Sequence, residues 1–167
     1  MKILIFSDSH GDLDAMRAIT RKNRRADAII FCGDGVRDFN QLRGLFPDKE
    51  YFGVTGNCDW YSDYPAYDEI ELCGLRIFLT HGHMFGVKNG ISRIVDMGRN
   101  NGFNIIIFGH THQQLTTVEG GMMIINPGSV GYHNEYVILD INEDTGEVAA
   151  TEYPRSDIPP LKMRFSD

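Results

Sequence analysis

The sequence predicts an α/β fold in which helices flank a two-layered β core of mixed sheets. Three observations carry that reading. Short apolar blocks bounded by glycine and polar residues recur along the chain and read as buried strands. Over the first two-thirds, stretches with apolar residues at helical spacing separate these blocks. Strand patterns joined by hairpin turns then fill most of the last third.

Ile3-Leu4-Ile5-Phe6 is the first block, and Asp8-Ser9-His10-Gly11-Asp12 breaks it. Asp12 is placed to N-cap a helix running to about Asn23, with Leu13, Met16 and Ile19 on its inward face. Ala28-Ile29-Ile30-Phe31 is a second buried strand and ends in Gly33-Asp34-Gly35. A second helix is expected from about Arg37 to Leu45, stopping before Pro47. Tyr51 to Val54 reads as a third strand, followed by Gly56-Asn57-Cys58-Asp59 and a turn-rich stretch from Trp60 to Pro65.

Tyr67 to Leu72 and Arg76 to Leu79 form a hairpin about Cys73-Gly74, and Thr80-His81-Gly82-His83 follows. Ile91, Ile94 and Val95 mark a helix from Gly90 to about Asn101. Ile105 to Phe108 is another buried strand, leading into Gly109-His110-Thr111-His112. The remaining strands are Leu115 to Val118, Met122 to Ile125, Tyr136 to Ile141 and Val148 to Tyr153. Gly120-Gly121 and Asp144-Thr145-Gly146 are their hairpin turns. Residues from about Pro154 to Asp167 read as an extended tail, and no repeat or linker divides residues 1–167, so a single domain is expected.

The chain is 42% hydrophobic and 23% charged, ordinary for a globular protein, and its net charge is −7. That balance excludes a uniformly cationic surface, so general nucleic-acid binding is not expected. Attraction for an anionic substrate must then come from a local source such as bound cations. Arg21, Lys22, Arg24 and Arg25 lie near a helix end, where positive charge suits the dipole. Three widely spaced cysteines make no disulfide framework. The apolar run at Met1 to Phe6 is too short for a signal-peptide core, and no stretch approaches the roughly 20 apolar residues of a membrane span. The expected setting is the cytoplasm, away from membranes.

Residues suited to metal binding recur where strands end. Asp8 and His10 follow the first strand, Asp34 the second, Asn57 the third, His81 the fifth, and His110 with His112 the sixth. In open α/β sheets, sites form just beyond the carboxyl ends of strands, so loops distant in sequence can converge there. Taken singly, each motif has a plainer explanation in turn chemistry, capping or surface histidine. Their combination is the specific signal. Oxygen and imidazole donors without a cysteine clamp favour Mn, Fe, Zn, Co or Ni over calcium or a structural zinc. Asp34 has two oxygens and could bridge two ions roughly 3.5–4 Å apart, which would clamp a phosphoryl group and hold a hydroxide for in-line attack.

With these motifs in hand, the sequence resembles the calcineurin-like metallophosphoesterase superfamily. Asp-x-His, Gly-Asp, Gly-Asn-x-Asp, Gly-His and Gly-His-x-His occur in its order, from Asp8 to at least Ser129. The short length, the Gly56-Asn57-Cys58-Asp59 form and Asn126-Pro127-Gly128-Ser129 point to its small bacterial and archaeal phosphodiesterases. The resemblance implies a four-layer α-β-β-α sandwich. It implies two divalent ions per chain, manganese first, with nickel, iron, cobalt or zinc as alternatives. Asp8, His10 and His112 would hold one ion, and Asn57, His81 and His110 the other. Asp34 would bridge them. Asp34, Asn57 and His81 are expected to serve the chemistry as well as ligation.

Many relatives carry His where this chain has Cys58, and that His is thought to protonate the leaving group, with the following acid orienting it. Asp59 is present here without an imidazole to orient. General-acid help is worth about 10²–10⁴-fold, so phosphodiesters with good leaving groups should be hydrolysed better than phosphomonoesters. His83 or His133 could stand in as the acid, although a structural or solvent-exposed role is favoured for each. Cys58, Asp59 and His83 are thus the substrate-side candidates. Trp60, Tyr61 and Tyr64 either wall a pocket for a base or aryl group or simply pack.

The leading reading is a metal-dependent phosphodiesterase acting on a small phosphodiester or nucleotide-like substrate. A non-catalytic scaffold is the chief alternative, since a retromer subunit of eukaryotic membrane traffic shares the fold. Every expected ligand is present here, whereas in that scaffold some metal-site positions are altered. A phosphomonoesterase is disfavoured by Cys58, and a nuclease by the short acidic chain. The late strands and tail could support a homodimer.

Overall fold

In a computed structural model the described residues are 1–154 and 159–165. The strands are β1 (Lys2–Phe6), β2 (Ala28–Phe31), β3 (Glu50–Gly53), β4 (Tyr67–Leu72), β5 (Leu75–Thr80), β6 (Ile105–Ile107), β7 (Gln114–Glu119), β8 (Met122–Pro127), β9 (Tyr136–Asn142), β10 (Glu147–Tyr153) and β11 (Leu161–Arg164). The helices are α1 (Leu13–Lys22), α2 (Val36–Leu45), α3 (Ser92–Asn101) and α4 (Val130–His133).

Strand alternation builds the layers. Ile3 and Ile5 of β1 face one way, with Ala28 and Ile30 of β2, and meet Ile77, Leu79, Ile105, Ile107, Met123 and Ile125 of the other sheet. Leu4, Phe6, Ile29 and Phe31 face the opposite way and are covered by Met16 and Ile19 of α1 and Phe39 and Leu42 of α2. On the far side, Phe78, Ile106 and Ile124 are covered by Ile94 and Val95 of α3. The result is the expected four-layer α-β-β-α sandwich with two mixed sheets. Burying a strand on both faces explains why these blocks are continuously apolar.

One sheet runs β11-β10-β9-β1-β2-β3 and the other β4-β5-β6-β8-β7. β1, β2 and β3 are parallel, as are β5, β6 and β8. Six carboxyl ends therefore open toward one edge of the sandwich. Asp12 caps α1 as expected, accepting from the Ala15 N–H at 2.9 Å.

Several boundaries differ from the sequence reading. Two 3₁₀ turns, His83–Phe85 and Val87–Asn89, precede α3, which starts at Ser92 rather than Gly90; Gly82, Gly86 and Gly90 punctuate the turns with positive φ. The single turn α4 was not foreseen. Part of the expected tail, 155–158 and 166–167, lies outside the described residues. Within the rest, Leu161–Arg164 is not a free extension but the edge strand β11, antiparallel to β10. Among the described residues no helix is long and apolar enough to cross a membrane.

Candidate functional site

The loops leaving β1, β2, β3, β5, β6 and β8 meet at the open edge. The β1 and β2 loops are stitched by backbone bonds from Asp8 N–H to Gly33 O (2.9 Å) and His10 N–H to Asp34 O (3.2 Å). Within the other sheet, the loops after β5 and β6 are joined by the Gly109 N–H, which donates to His81 O at 3.1 Å. Gly33 and Gly56 lie back to back. A Cβ on Gly33 would stand 2.6 Å from the Gly56 nitrogen, and one on Gly56 would collide with the Asp34 carboxylate. That close approach is why glycine is needed at both positions.

These loops bring together two donor clusters. Asp8, His10 and His112 form one, and Asp34, His81 and His110 form another. His112 Nε2 lies 3.0 Å from Asp8 Oδ1 and 3.3 Å from His10 Nε2. His81 Nε2 lies 3.1 Å from Asn57 Oδ1, 3.2 Å from His110 Nδ1 and 3.3 Å from Asp34 Oδ2. All seven sequence-predicted ligands thus lie in one region. Cys58 joins them, forming a third group with His10 and Asp34.

Several of these donors are aimed by partners behind them. The Ser7 hydroxyl and the His110 N–H (3.1 Å) donate to Asp8 Oδ2, which leaves Oδ1 facing the histidines. His81 Nδ1 lies 2.7 Å from the Cys32 carbonyl oxygen, which can only accept, so Nδ1 carries the proton. Asn126 holds the His110–His112 loop, donating from Nδ2 to Gly109 O and Thr111 Oγ1, both at 2.9 Å. Such outer partners fix ring orientation and tautomer in metal sites.

The backbone is strained at five of these positions. Asp8, His10, Asp34, His110 and His112 have φ of 54, 46, 59, 69 and 57°. Non-glycine residues in this region cost of order 1–3 kcal/mol each, and such strain clusters where geometry serves a ligand.

Electrostatics favour a cation. With Nδ1 protonated, His81 Nε2 turns a bare lone pair toward the oxygens of Asp34 and Asn57, an arrangement that repels unless a proton or a metal sits among them. In the metal-free protein burial pushes the His81 imidazole down, but the Asp34 hydrogen bond and the charges of Asp8 and Asp34 outweigh it, so its pKa is raised. Burial raises Asp34, yet the hydrogen bond and charge of His81 and the Cys58 N–H hold it well below the usual carboxylate range. His110 is pulled down to about 4 by burial and then by the charges of His81 and Lys88. A raised His81 beside a depressed His110 and Asp34 is a proton doing the work of a cation, and the donor set fits divalent metals of the Mn–Zn series.

Residues 1–144 match the model of the calcineurin-like phosphoesterase superfamily domain. The chain belongs to that superfamily. Within it, the chain is 32% identical over 175 residues to a probable metallophosphoesterase of Bacillus subtilis, YsnB, covering 99% of both. It is 30% identical over 155 residues to the Escherichia coli phosphodiesterase YfcE, covering 78% of this chain and 79% of YfcE. Among solved structures, a Streptococcus pneumoniae protein described as a predicted phosphoesterase superposes with a TM-score of 0.79 at 24% identity, covering 97% of this chain and 96% of that one. Wild-type Vps29 of Entamoeba histolytica, complexed with Zn²⁺, superposes with a TM-score of 0.72 at 21% identity, covering 98% of each. These last two likenesses are of fold.

The substrate-side candidates of this calcineurin-like chain divide. Cys58 lies beside the donors, its thiol pushed up to about 11 by burial and then by Asp34. Asp59 does not face the open site: its two oxygens accept from the N–H groups of Asp34, Gly56, Gly35 and Val36 at 2.7 to 2.9 Å. His83 lies with its ring 5.5 Å from that of His81 and 6.1 Å from that of His110, and its buried Nδ1 has no partner among the described residues. His133 turns instead to Glu135, 3.7 Å away. Sequence reasoning missed Tyr132, whose exposed ring lies 5.2 Å from both His10 and His112. Its position depends on α4, which Ser129 caps from Oγ (3.1 Å) while donating to Asp8 O (2.9 Å). A Ser-x-x-Tyr spacing after a Pro-Gly turn was the available signal.

Proposed function

We propose that this protein is a metal-dependent phosphodiesterase with a dinuclear centre. Asp8, His10 and His112 would hold one divalent cation, Asn57, His81 and His110 the other, and Asp34 would be shared. The observation that carries this reading is the placement of His81 Nε2 among Asp34, Asn57 and His110, with the Cys32 carbonyl behind Nδ1. When bound, the two cations supply charge neutralisation at the phosphoryl group and a hydroxide nucleophile at neutral pH.

The chain's own residues do the rest. Cys32 and Asn126 fix the rings of His81 and the His110 loop, and Asp34, anchored by the Cys58 N–H at 2.7 Å, sits between the clusters. Having Cys58 where relatives carry an imidazole favours diesters with good leaving groups over monoesters. The complete donor set supports hydrolysis over a scaffold role. Manganese is the metal we expect, and three free cysteines agree with a reducing cytoplasm.

The test is reconstitution. Protein stripped with a chelator should be inactive on bis(4-nitrophenyl) phosphate and recover with Mn²⁺, and calorimetric titration should give two ions per chain. Full activity after exhaustive stripping would overturn the reading.

A further inference from the structure

Beside the donor clusters a groove of about 1050 Å³ runs outward between the first turns of α2 and the segment Cys58–Pro65. That volume is at the upper end of ordinary small-molecule sites. Cys58, which stands within 4.8 Å of donor atoms on His10 and Asp34, lines it too, so the groove adjoins the region of Asp34.

Its aromatic residues are of two kinds. Tyr64 packs: its ring lies 5.6 Å from that of Phe39, and its hydroxyl joins Arg43 Nη1 at 2.7 Å and Asn40 Oδ1 at 2.9 Å. Trp60 and Tyr61 do not pack, with relative exposures of 82% and 104%. Tyr61 also has φ +62°, an unfavourable conformation for a bulky side chain that no packing repays in the free protein. Two neighbouring aromatic faces are therefore held open to solvent in this groove.

The polar lining narrows the ligand. Arg37 and Arg43 bring positive charge to the groove in a chain of net charge −7, set against the carboxylates of Asp63 and of Asp59, the latter spent on backbone N–H groups. The Asn40 and Gln41 amides can address the edge of a heterocycle. Flat faces, amide edges and arginine together suit a nucleobase with its attached phosphate.

We propose that this groove holds the nucleobase of a nucleotidyl phosphodiester, stacked against Trp60 and Tyr61, while its phosphoryl group lies among the donors. The assignment rests on the phosphodiesterase reading and names its substrate class. Specificity then resides on the Cys58–Pro65 segment and the facing residues of α2.

Trp60 is the chain's one tryptophan, so its fluorescence reports on the groove alone. Titrating metal-free protein with thymidine 5′-monophosphate should quench it saturably, and ribose 5-phosphate should not. Tyr61→Ala should weaken the thymidine affinity about tenfold, as expected for loss of a stacking face. No saturable quenching, equal quenching by both compounds, or an unchanged affinity in Tyr61→Ala would each overturn the proposal. With Mn²⁺, kcat/KM for thymidine 5′-(4-nitrophenyl phosphate) should exceed that for the abasic 1,2-dideoxyribose 5-(4-nitrophenyl phosphate) about tenfold, since the leaving group and the sugar framework are shared and the base is what differs. That ratio should fall toward one in Tyr61→Ala, and a wild-type ratio near one would overturn the subsite. Hydrolysis of neither ester would remove the phosphodiesterase reading, and the fluorescence titration would still decide the groove's ligand.

Discussion

The Asp59 carboxylate accepts a hydrogen bond from the Asp34 backbone N–H at 2.7 Å, tying the β3 loop to the residue at the centre of the candidate site. Oδ2 also accepts from Gly56, and Oδ1 from Gly35 and Val36. Four lone-pair positions are thus filled by four backbone donors.

Asp59→Asn keeps the shape and removes half of that capacity. One oxygen remains, and an NH₂ group is left facing backbone donors. The expected loss of stability is about 1–3 kcal/mol, with weaker metal binding because the Asp34 loop loosens. Denaturant unfolding in chelator and a Mn²⁺ titration would measure both. A wild-type midpoint and affinity would show that Asp59 is dispensable to the loop.

Asp34→Asn should act differently. Losing an outer partner of a metal ligand typically costs about 10–100-fold, so if Asp34 is the shared ligand we propose, altering it should reduce turnover at least about 100-fold. Folding should change far less, because the backbone bonds to Asp59 and His10 do not involve the Asp34 carboxylate. Initial rates on an aryl diester, alongside a thermal melt, separate the two effects; wild-type turnover would remove Asp34 from the centre.

The candidate donors were legible in the sequence because most follow an apolar block buried on both faces, and parallel strands put their carboxyl ends together; β3, before Asn57, is the partly exposed exception. What was not legible depended on contacts between loops. Asp59 reads as a companion to a missing imidazole until its four backbone partners are seen. Tyr132 reads as a surface tyrosine until α4 folds onto Asp8. The edge strand β11 carries a period-two pattern, Leu161 and Met163 toward the core and Lys162 and Arg164 away, but it is four residues long and follows Pro159-Pro160.

Metal-free stability should peak near pH 6.5. The folded pKa of His81 is raised above 6.5, so its contribution is fully present below pH 6.5 and is lost as pH rises through the raised value. His110 is depressed to about 4, so its contribution is present above pH 6.5 and is lost as pH falls from there toward 4. Saturating Mn²⁺ replaces the proton among Asp34, Asn57 and His81 and should abolish the alkaline limb. Melting temperatures from pH 4.5 to 9, with chelator and with Mn²⁺, would trace both limbs. His81→Asn should remove the alkaline limb in chelator; its persistence would assign that limb to another group.

Cys58→His should raise phosphomonoester hydrolysis relative to diester hydrolysis. The Cys58 sulfur already stands within 4.8 Å of donor atoms on His10 and Asp34, so an imidazole grown from this position would reach a phosphoryl group held at the proposed centre. A monoester with an alkoxide leaving group gains most from a proton donor, and a 4-nitrophenyl diester gains little, so the ratio isolates the effect. The full value of a positioned acid is about 10²–10⁴-fold. Asp59 has no lone pair left to orient the new ring, because all its capacity goes to Asp34, Gly35, Val36 and Gly56. The gain should therefore sit below that range, about tenfold in the ratio of kcat/KM values. An unchanged ratio would mean that substrate preference is set elsewhere than at position 58. A gain of several hundredfold would mean that Asp59 leaves its backbone partners to orient the ring, and the Asp34 loop would then soften, which the same unfolding measurement would detect.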